Sequence, residues 1–349
     1  METKYDSYSC NGVCEGCRRC LKGEKLVLFI TGKCPRKCKY CSLSDKRKEV
    51  DIIWANETEC SNVNEMIKEA EESNASSASI TGGDPLSCLN RTIEYASALK
   101  KRFGDNFHIH LYTSLTLVNN NNVLERLNEV IDEIRFHPSF LSWDMPEDRL
   151  NEEVEKIKLA VGIFGKENVG CEMPMVPERK EELYGFIKRM NGVIGFFNLN
   201  EFELSDTNFN YVKENYNLND DTYTIRGSKS AGKWIVDKAE KEGLEIKIHL
   251  CSARTKNWHQ YLNRLKKHKI LPFGKKTDEG TVIYYVVYCN DLTKVESVLG
   301  EGHVDEEKKR VIIPEELVDK AKEIEGWKVK KVEEYPTSDR DEIEVYPLN

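Results

Sequence analysis

The sequence predicts an α/β protein: a main domain built on a parallel sheet with crossover helices, a short cysteine-rich segment before it and a small α+β appendage after it. Three observations carry this. From Leu26 onward, strand-like apolar runs alternate with amphipathic helical stretches, the pattern of repeated βα units. Residues able to do chemistry collect directly after the strand-like runs, where parallel sheets place their sites. Charge also changes along the chain. Residues 277–349 hold 19 Asp/Glu against 10 Lys/Arg, so most of the formal net charge of −8 resides there and residues 1–276 carry about +1.

Strands are expected at 25–31, 77–82, 107–113, 131–137, 168–174, 194–202 and 244–250, with helices over roughly 61–74, 86–102, 121–129, 149–164 and 179–191. In the fourth of these helices, Val154, Ile157 and Val161 share one stripe. Trp258, Tyr261, Leu262 and Leu265 follow the i, i+3, i+4, i+7 spacing of an amphipathic helix, which turns Trp258 toward a core. Residues 272–280 read as a linker. Beyond it lie a strand from Val282 to Tyr288, a helix opening at Pro314 with Glu315 and Glu316 in its first turn, and a last strand from Trp327 to Val332. The expected domains are 1–23, 24–275 and 276–349, and 349 residues suffice for one large core and one small one.

Cys34, Cys38 and Cys41 stand as Cys-Pro-Arg-Lys-Cys-Lys-Tyr-Cys directly after the run Lys25 to Gly32. Three thiolates on one loop can hold three corners of a 4Fe-4S cluster and leave one iron open, because such clusters normally take four. The same spacing also suits a zinc knuckle. About 40 residues on, a strand-like run ends in Gly82-Gly83-Asp84-Pro85. Glycines there let the backbone approach a ligand and proline stiffens the turn; read alone, the segment is an ordinary strand-to-helix turn.

Together the two motifs resemble those of the radical S-adenosylmethionine (radical SAM) superfamily, and the resemblance covers residues 24–250. Within it, the amino-terminal cysteine block and the run into the motif look like archaeal proteins grouped beside the pyruvate formate-lyase activating enzymes. The resemblance implies a partial (βα)6 TIM-like barrel and catalysis by Cys34, Cys38 and Cys41 holding a 4Fe-4S cluster. The open iron chelates SAM, and Tyr40 fills a position that is usually aromatic. It also implies that Gly82, Gly83, Asp84 and Pro85 bind the SAM amino group, although Asp84 stands where the family most often has Glu and reaches less far. Ser114, His137, Glu172 and Asn200 sit at later strand ends, where SAM meets polar groups. The implied reaction is reductive cleavage of SAM to a 5′-deoxyadenosyl radical that takes hydrogen from a substrate, with an electron donor of flavodoxin or ferredoxin type.

Cys10, Cys14, Cys17 and Cys20 lie within eleven residues, the last three as Cys-x2-Cys-x2-Cys. A second 4Fe-4S cluster, a zinc ion or no metal are the open readings, with Cys10 the nearest fourth ligand and Cys251 the best remote one. Two basic stretches bear on substrate. Lys33 to Lys48 holds seven Lys/Arg against one acid, and Arg254 to Lys276 holds eight and no acid. A charge run is usually a solvated face. The candidates are an activase-like reaction on a protein, modification of RNA or a nucleotide, and non-catalytic nucleic-acid binding by an iron–sulfur or zinc protein. Seven of twelve cysteines fall in two metal-spaced clusters, no apolar run reaches 18 residues and the amino terminus has no secretory core. A cytoplasmic protein without a membrane partner is expected.

Overall fold

The structure is a computed structural model that describes residues 5–139, 147–220 and 223–349. These divide into two compact units, residues 5–71 with 75–261 and residues 72–74 with 262–349. The extreme amino terminus, where a secretory core is not expected, lies partly outside the described residues.

The first unit holds a sheet of ten strands. Seven run parallel: β2 (Lys25–Phe29), β5 (Ser77–Thr81), β6 (His108–Ser114), β7 (Glu133–His137), β8 (Val169–Met175), β9 (Phe196–Glu201) and β10 (Lys247–Cys251). Each falls on an expected strand. The six connections between them make six βα units followed by a seventh strand. An antiparallel hairpin, β3 (Ile53–Ala55) and β4 (Thr58–Cys60), extends the sheet beyond β2, and β1 (Tyr8–Cys10) pairs antiparallel with β10 at the other end. The sheet is open, because no β1–β4 pairing exists among the described residues.

Helices α2 (Val63–Glu72), α3 (Leu89–Phe103), α4 (Asn121–Asn128), α5 (Glu147–Phe164) and α6 (Lys180–Met190) fall where expected. The stripe on α5 runs through Val154, Ile157, Ala160 and Phe164; Val161 is only half-buried. Short elements also fall where none is expected: β1, α1 (Glu15–Leu21), α7 (Phe209–Asn215) and the β3–β4 hairpin. The longer α8 (Ser228–Lys241) was also missed, and Gly232 lets it pack against Leu250, which an added Cβ would meet at 2.6 Å.

The outward residues of the parallel strands, such as Leu28, Ile80, Leu111, Phe136, Leu199 and Leu250, form one core with these helices. Their inward neighbours are polar: His110, Tyr112 and Ser114 on β6, Glu133, Arg135 and His137 on β7, Asn198 and Asn200 on β9, His249 and Cys251 on β10. A strand alternates its side chains, so a polar interior follows from one register.

The expected helix around Trp258 differs in detail. Residues Thr255–Gln260 form a π-helical turn leading into α9 (Tyr261–Lys267). The wider turn rotates Trp258 out of the stripe, and it is 69% exposed while Leu265 is buried.

In the second unit, β12 (Val282–Tyr288) pairs with the short β11 (Lys275–Lys276) and lies between β14 (Arg310–Ile313), which β13 (His303–Asp305) borders, and β15 (Lys328–Glu334), all antiparallel. The strand expected to be last is followed by β16 (Glu342–Pro347), an exposed edge strand with an acid at two of its six positions. Its mixed pattern hid it, as charged edges do.

Candidate active site

The loop after β2 carries Cys34, Cys38 and Cys41, and it is tied down on several sides. Gly32 closes its base, donating to Val50 O (2.8 Å) and accepting from Glu49 N (2.9 Å). A Cβ on Gly32 would lie 1.7 Å from the Arg47 carbonyl, so no other residue fits there. Asp51 gathers Thr31 Oγ1 (2.8 Å), Lys33 Nζ (3.3 Å) and Arg91 Nη1 (2.7 Å), and the bonds from Arg91 and Thr31 hold its carboxyl well below the usual range. At the far end, Ser205 and Thr207 hydroxyls donate to the Cys41 carbonyl at 3.1 and 3.0 Å.

Gly82 and Gly83 lie against this loop. Gly83 N donates to Thr31 O (2.7 Å) and Asp84 N to Lys33 O (2.8 Å). Gly82 has φ +158°, and a Cβ there or on Gly83 would lie 2.4 Å from the Thr31 or Lys33 carbonyl. The double glycine therefore lets two strand ends touch.

Asp84 and Pro85 are not brought to the cavity. The Asp84 carboxylate is fully buried and accepts from Leu86 N (3.0 Å), Thr113 Oγ1 (2.7 Å), Ser114 Oγ (2.6 Å) and Ser114 N (3.2 Å). Burial raises its pKa, and the four donors offset only part of that. Its shorter side chain is thus used to fix the end of β6 and present Ser114.

Tyr40 is held by His137, with Tyr40 Oη 3.0 Å from Nε2 and Nδ1 3.0 Å from the Glu172 carbonyl. A carbonyl only accepts, so Nδ1 carries the proton and Nε2 accepts from the tyrosine. Burial lowers the His137 pKa to about 3, which keeps the ring neutral. Arg36, inside the cysteine motif, donates to the His137 carbonyl at 2.6 Å.

All three loop cysteines border a cavity of about 570 Å³, together with Tyr40, Gly82, Gly83, Ser114, His137, Glu172 and Asn200. That volume is within the range of about 300–1,000 Å³ for small-molecule sites. The thiols form no disulfide, and burial pushes Cys34 up to about 11, a shift that ligation to a metal would reverse. Three soft donors on a loop whose backbone is fixed independently of them fit an iron–sulfur cluster.

The family description "Radical SAM superfamily" matches residues 28–182. A protein of Methanocaldococcus jannaschii, provisionally named a glycyl-radical enzyme activating enzyme, is 34% identical over 353 residues, spanning 96% of this chain and 92% of the relative. The chain belongs to the radical SAM superfamily. It is an enzyme, and the family implies SAM and a 4Fe-4S cluster. No helix among the described residues is long and apolar enough to cross a membrane.

The interior of this radical SAM fold holds groups that sequence reasoning passed over. Arg135, 2% exposed, donates to Glu133 (2.7 Å), Glu172 (2.8 Å), the Tyr112 hydroxyl (3.0 Å) and Cys14 Sγ (3.3 Å). Glu172 also accepts from Asn198 (3.1 Å) and Asn200 (2.8 Å). Burial works against ionisation of Glu172, but Arg135 and the two amides outweigh it and the pKa is lowered. Alternation of polar residues along strands of a parallel sheet was the available signal, since such strands normally read as continuous apolar runs.

Among the amino-terminal cysteines, Cys17 and Cys20 border the cavity, Cys14 is buried beside Arg135, and Cys10 is elsewhere. Cys10 pairs with Ile248, so both point to the helix-covered face, opposite to His249 and Cys251. Among the described residues, no three His, Cys, Asp or Glu side chains are grouped to hold a single metal ion.

Proposed function

We propose that the protein is an activase-like radical SAM enzyme that removes a hydrogen atom from a protein substrate. The observation that carries this is the cavity bordered at once by the three-cysteine loop and the polar strand interior. The full-length likeness to a relative provisionally named as an activating enzyme favours a protein over RNA.

Cys34, Cys38 and Cys41 would hold the 4Fe-4S cluster. When bound and reduced by a flavodoxin- or ferredoxin-type donor, it supplies the electron that splits SAM into methionine and a 5′-deoxyadenosyl radical, which takes hydrogen from the substrate. The chain's own residues position. Gly82 and Gly83 offer backbone to the SAM amino group, with Asp84 behind them fixing Ser114. Tyr40, locked by His137, shapes the wall beside the cysteines. Glu172, kept ionised by Arg135, presents a charged acceptor with Asn200 to the ligand. The residues at the strand ends hold the reacting groups in one orientation, worth several powers of ten in rate.

The abstracted atom ends in 5′-deoxyadenosine, which gives a direct test of substrate class. Reconstituted enzyme, unlabelled SAM and reductant are incubated with protein or RNA fractions from fully deuterated cells. Product heavier by one mass unit from the protein fraction alone is expected. Label from the RNA fraction alone would overturn the proposal.

A further inference from the structure

The amino-terminal cysteines are not used by the reaction as derived, yet the fold places them inside the barrel. Cys14 caps α1, and Cys17 and Cys20 lie on it at i, i+3 and i+6, along one side. The helix plugs the end of the sheet where the strands begin: Gly16 N donates to Glu133 at the start of β7 (3.0 Å), and a Cβ on Gly16 would meet Arg135 at 2.4 Å. The Cys14 and Cys17 thiols are within hydrogen-bonding reach of one another. Cys20 Sγ donates to Gln260 Oε1 (2.8 Å), whose amide nitrogen reaches Cys251 Sγ at 3.5 Å, so one side chain bridges the helix and β10.

A second, independent feature marks the place. His249, two residues before Cys251 on the same face of β10, is 2% exposed and borders the cavity, and neither ring nitrogen has a hydrogen-bond partner. A buried imidazole without partners is costly unless something else occupies the space.

The geometry points to a second iron–sulfur centre at the floor of the barrel, held by Cys14, Cys17, Cys20 and Cys251, with His249 beside it. Cys10 is not a ligand, because it faces the helices. The backbone advances about 9 Å along the axis from Cys14 to Cys20, which suits the corners of a four-iron cluster better than a single zinc, whose thiolate sulfurs lie within about 4.6 Å of one another. A four-iron cluster is reached from successive turns. The four thiols lose their protons on ligation, and the N–H donors of Arg135 (3.3 Å) and Asn198 (3.8 Å) already face Cys14 sulfur to accept that charge. From Glu133 below to His137 above, β7 rises about 13 Å, so the two centres would stand at opposite ends of one cavity with substrate space between.

The test is an iron and sulfide count on full-length protein reconstituted anaerobically, with Cys34, Cys38 and Cys41 all changed to Ala. About four irons and four sulfides per chain are expected to remain. Adding Cys251→Ser or Cys14→Ser should cut the count by half or more, and Cys10→Ser should leave it unchanged. No iron, a single zinc, or loss with Cys10→Ser but not Cys251→Ser would overturn the assignment. Circular dichroism verifies folding of each variant. Should the triple variant not fold, the wild-type count decides: about eight irons supports the second centre and about four refutes it. Because these counts need no SAM, their failure is distinct from failure of the proposed reaction.

Discussion

Arg135 in the first unit and Arg310 in the second are both almost fully buried and both meet more than one carboxylate. Arg310 joins Asp305 (2.9 Å), Glu334 (2.6 Å) and Glu342 (3.0 Å), Arg340 adds a second cation at 2.8 Å from Asp305, and Lys308 a third at 3.4 Å from both Glu334 and Glu342, so three cations meet these three carboxylates. Cations and acids face each other there, tying β14 to the neighbouring strands. Arg135 has two carboxylates and no second arginine, and its remaining partners are Tyr112 and Cys14. Glu172 and Asn200 beyond it border a cavity. A structural ion network and a functional one separate on this point. The first closes on itself; the second is left with an excess of negative charge and donors directed at open space.

The largest expected effect comes from deleting each arginine. Arg135→Ala and Arg310→Ala should each cost about 3–5 kcal/mol, because each strands buried carboxylates. Differential scanning calorimetry should show the loss in different transitions. Formation of 5′-deoxyadenosine should stay within about twofold of wild type for Arg310→Ala and fall at least tenfold for Arg135→Ala, about 1.4 kcal/mol or more in the barrier. Equal activity losses would erase the distinction.

Next is Glu172→Gln, which keeps shape and removes charge. We expect a roughly tenfold slower 5′-deoxyadenosine rate, about 1.4 kcal/mol, with a melting temperature near wild type. The opposite pattern, a large melting shift with unchanged rate, would put Glu172 in the structural class.

The second unit also has a pH signature. Burial would raise the Asp305 pKa, but bonds from Arg340 and Arg310 outweigh it and lower it. A depressed carboxyl contributes its stability fully above its unfolded value of about 3.9, and loses it as pH falls through the lower folded value. Melting of this unit should therefore drop steeply below about pH 4, and Asp305→Asn should flatten that slope while lowering stability at neutral pH. A slope unchanged in Asp305→Asn would contradict the assignment.

The smallest effect is at Asp51, which is exposed to solvent and screened. Asp51→Asn should slow 5′-deoxyadenosine formation by about two- to fivefold by loosening Thr31 and Lys33, with little change in melting. An unchanged rate would show that the glycine contacts alone hold the loop.

Much of the fold was legible because the parallel strands are apolar on their outward face and the helices between them carry clear stripes. The cysteine loop was legible because its spacing and its place after β2 agree. Asp84 was not: a Gly-Gly-acid-Pro string says nothing of whether the acid points at a ligand or at Thr113 and Ser114. Trp258 was misplaced because a helical pattern assumes 3.6 residues per turn, and the π-helical turn breaks that count. Arg135 and His249 were not legible as site residues because they lie in the middle of β7 and β10, not at the strand ends. The alternation Glu133, Arg135, His137, matched by His110, Tyr112, Ser114 on the next strand, already described a polar interior.

The most direct measurement is 5′-deoxyadenosine and methionine formed from SAM and dithionite by the anaerobically reconstituted protein. Both products are expected in equal amounts from wild type, and none above background from Cys34→Ala, Cys38→Ala or Cys41→Ala. Absence of product from a fully iron-loaded wild type, or undiminished product from any of the three variants, would contradict the proposed reaction.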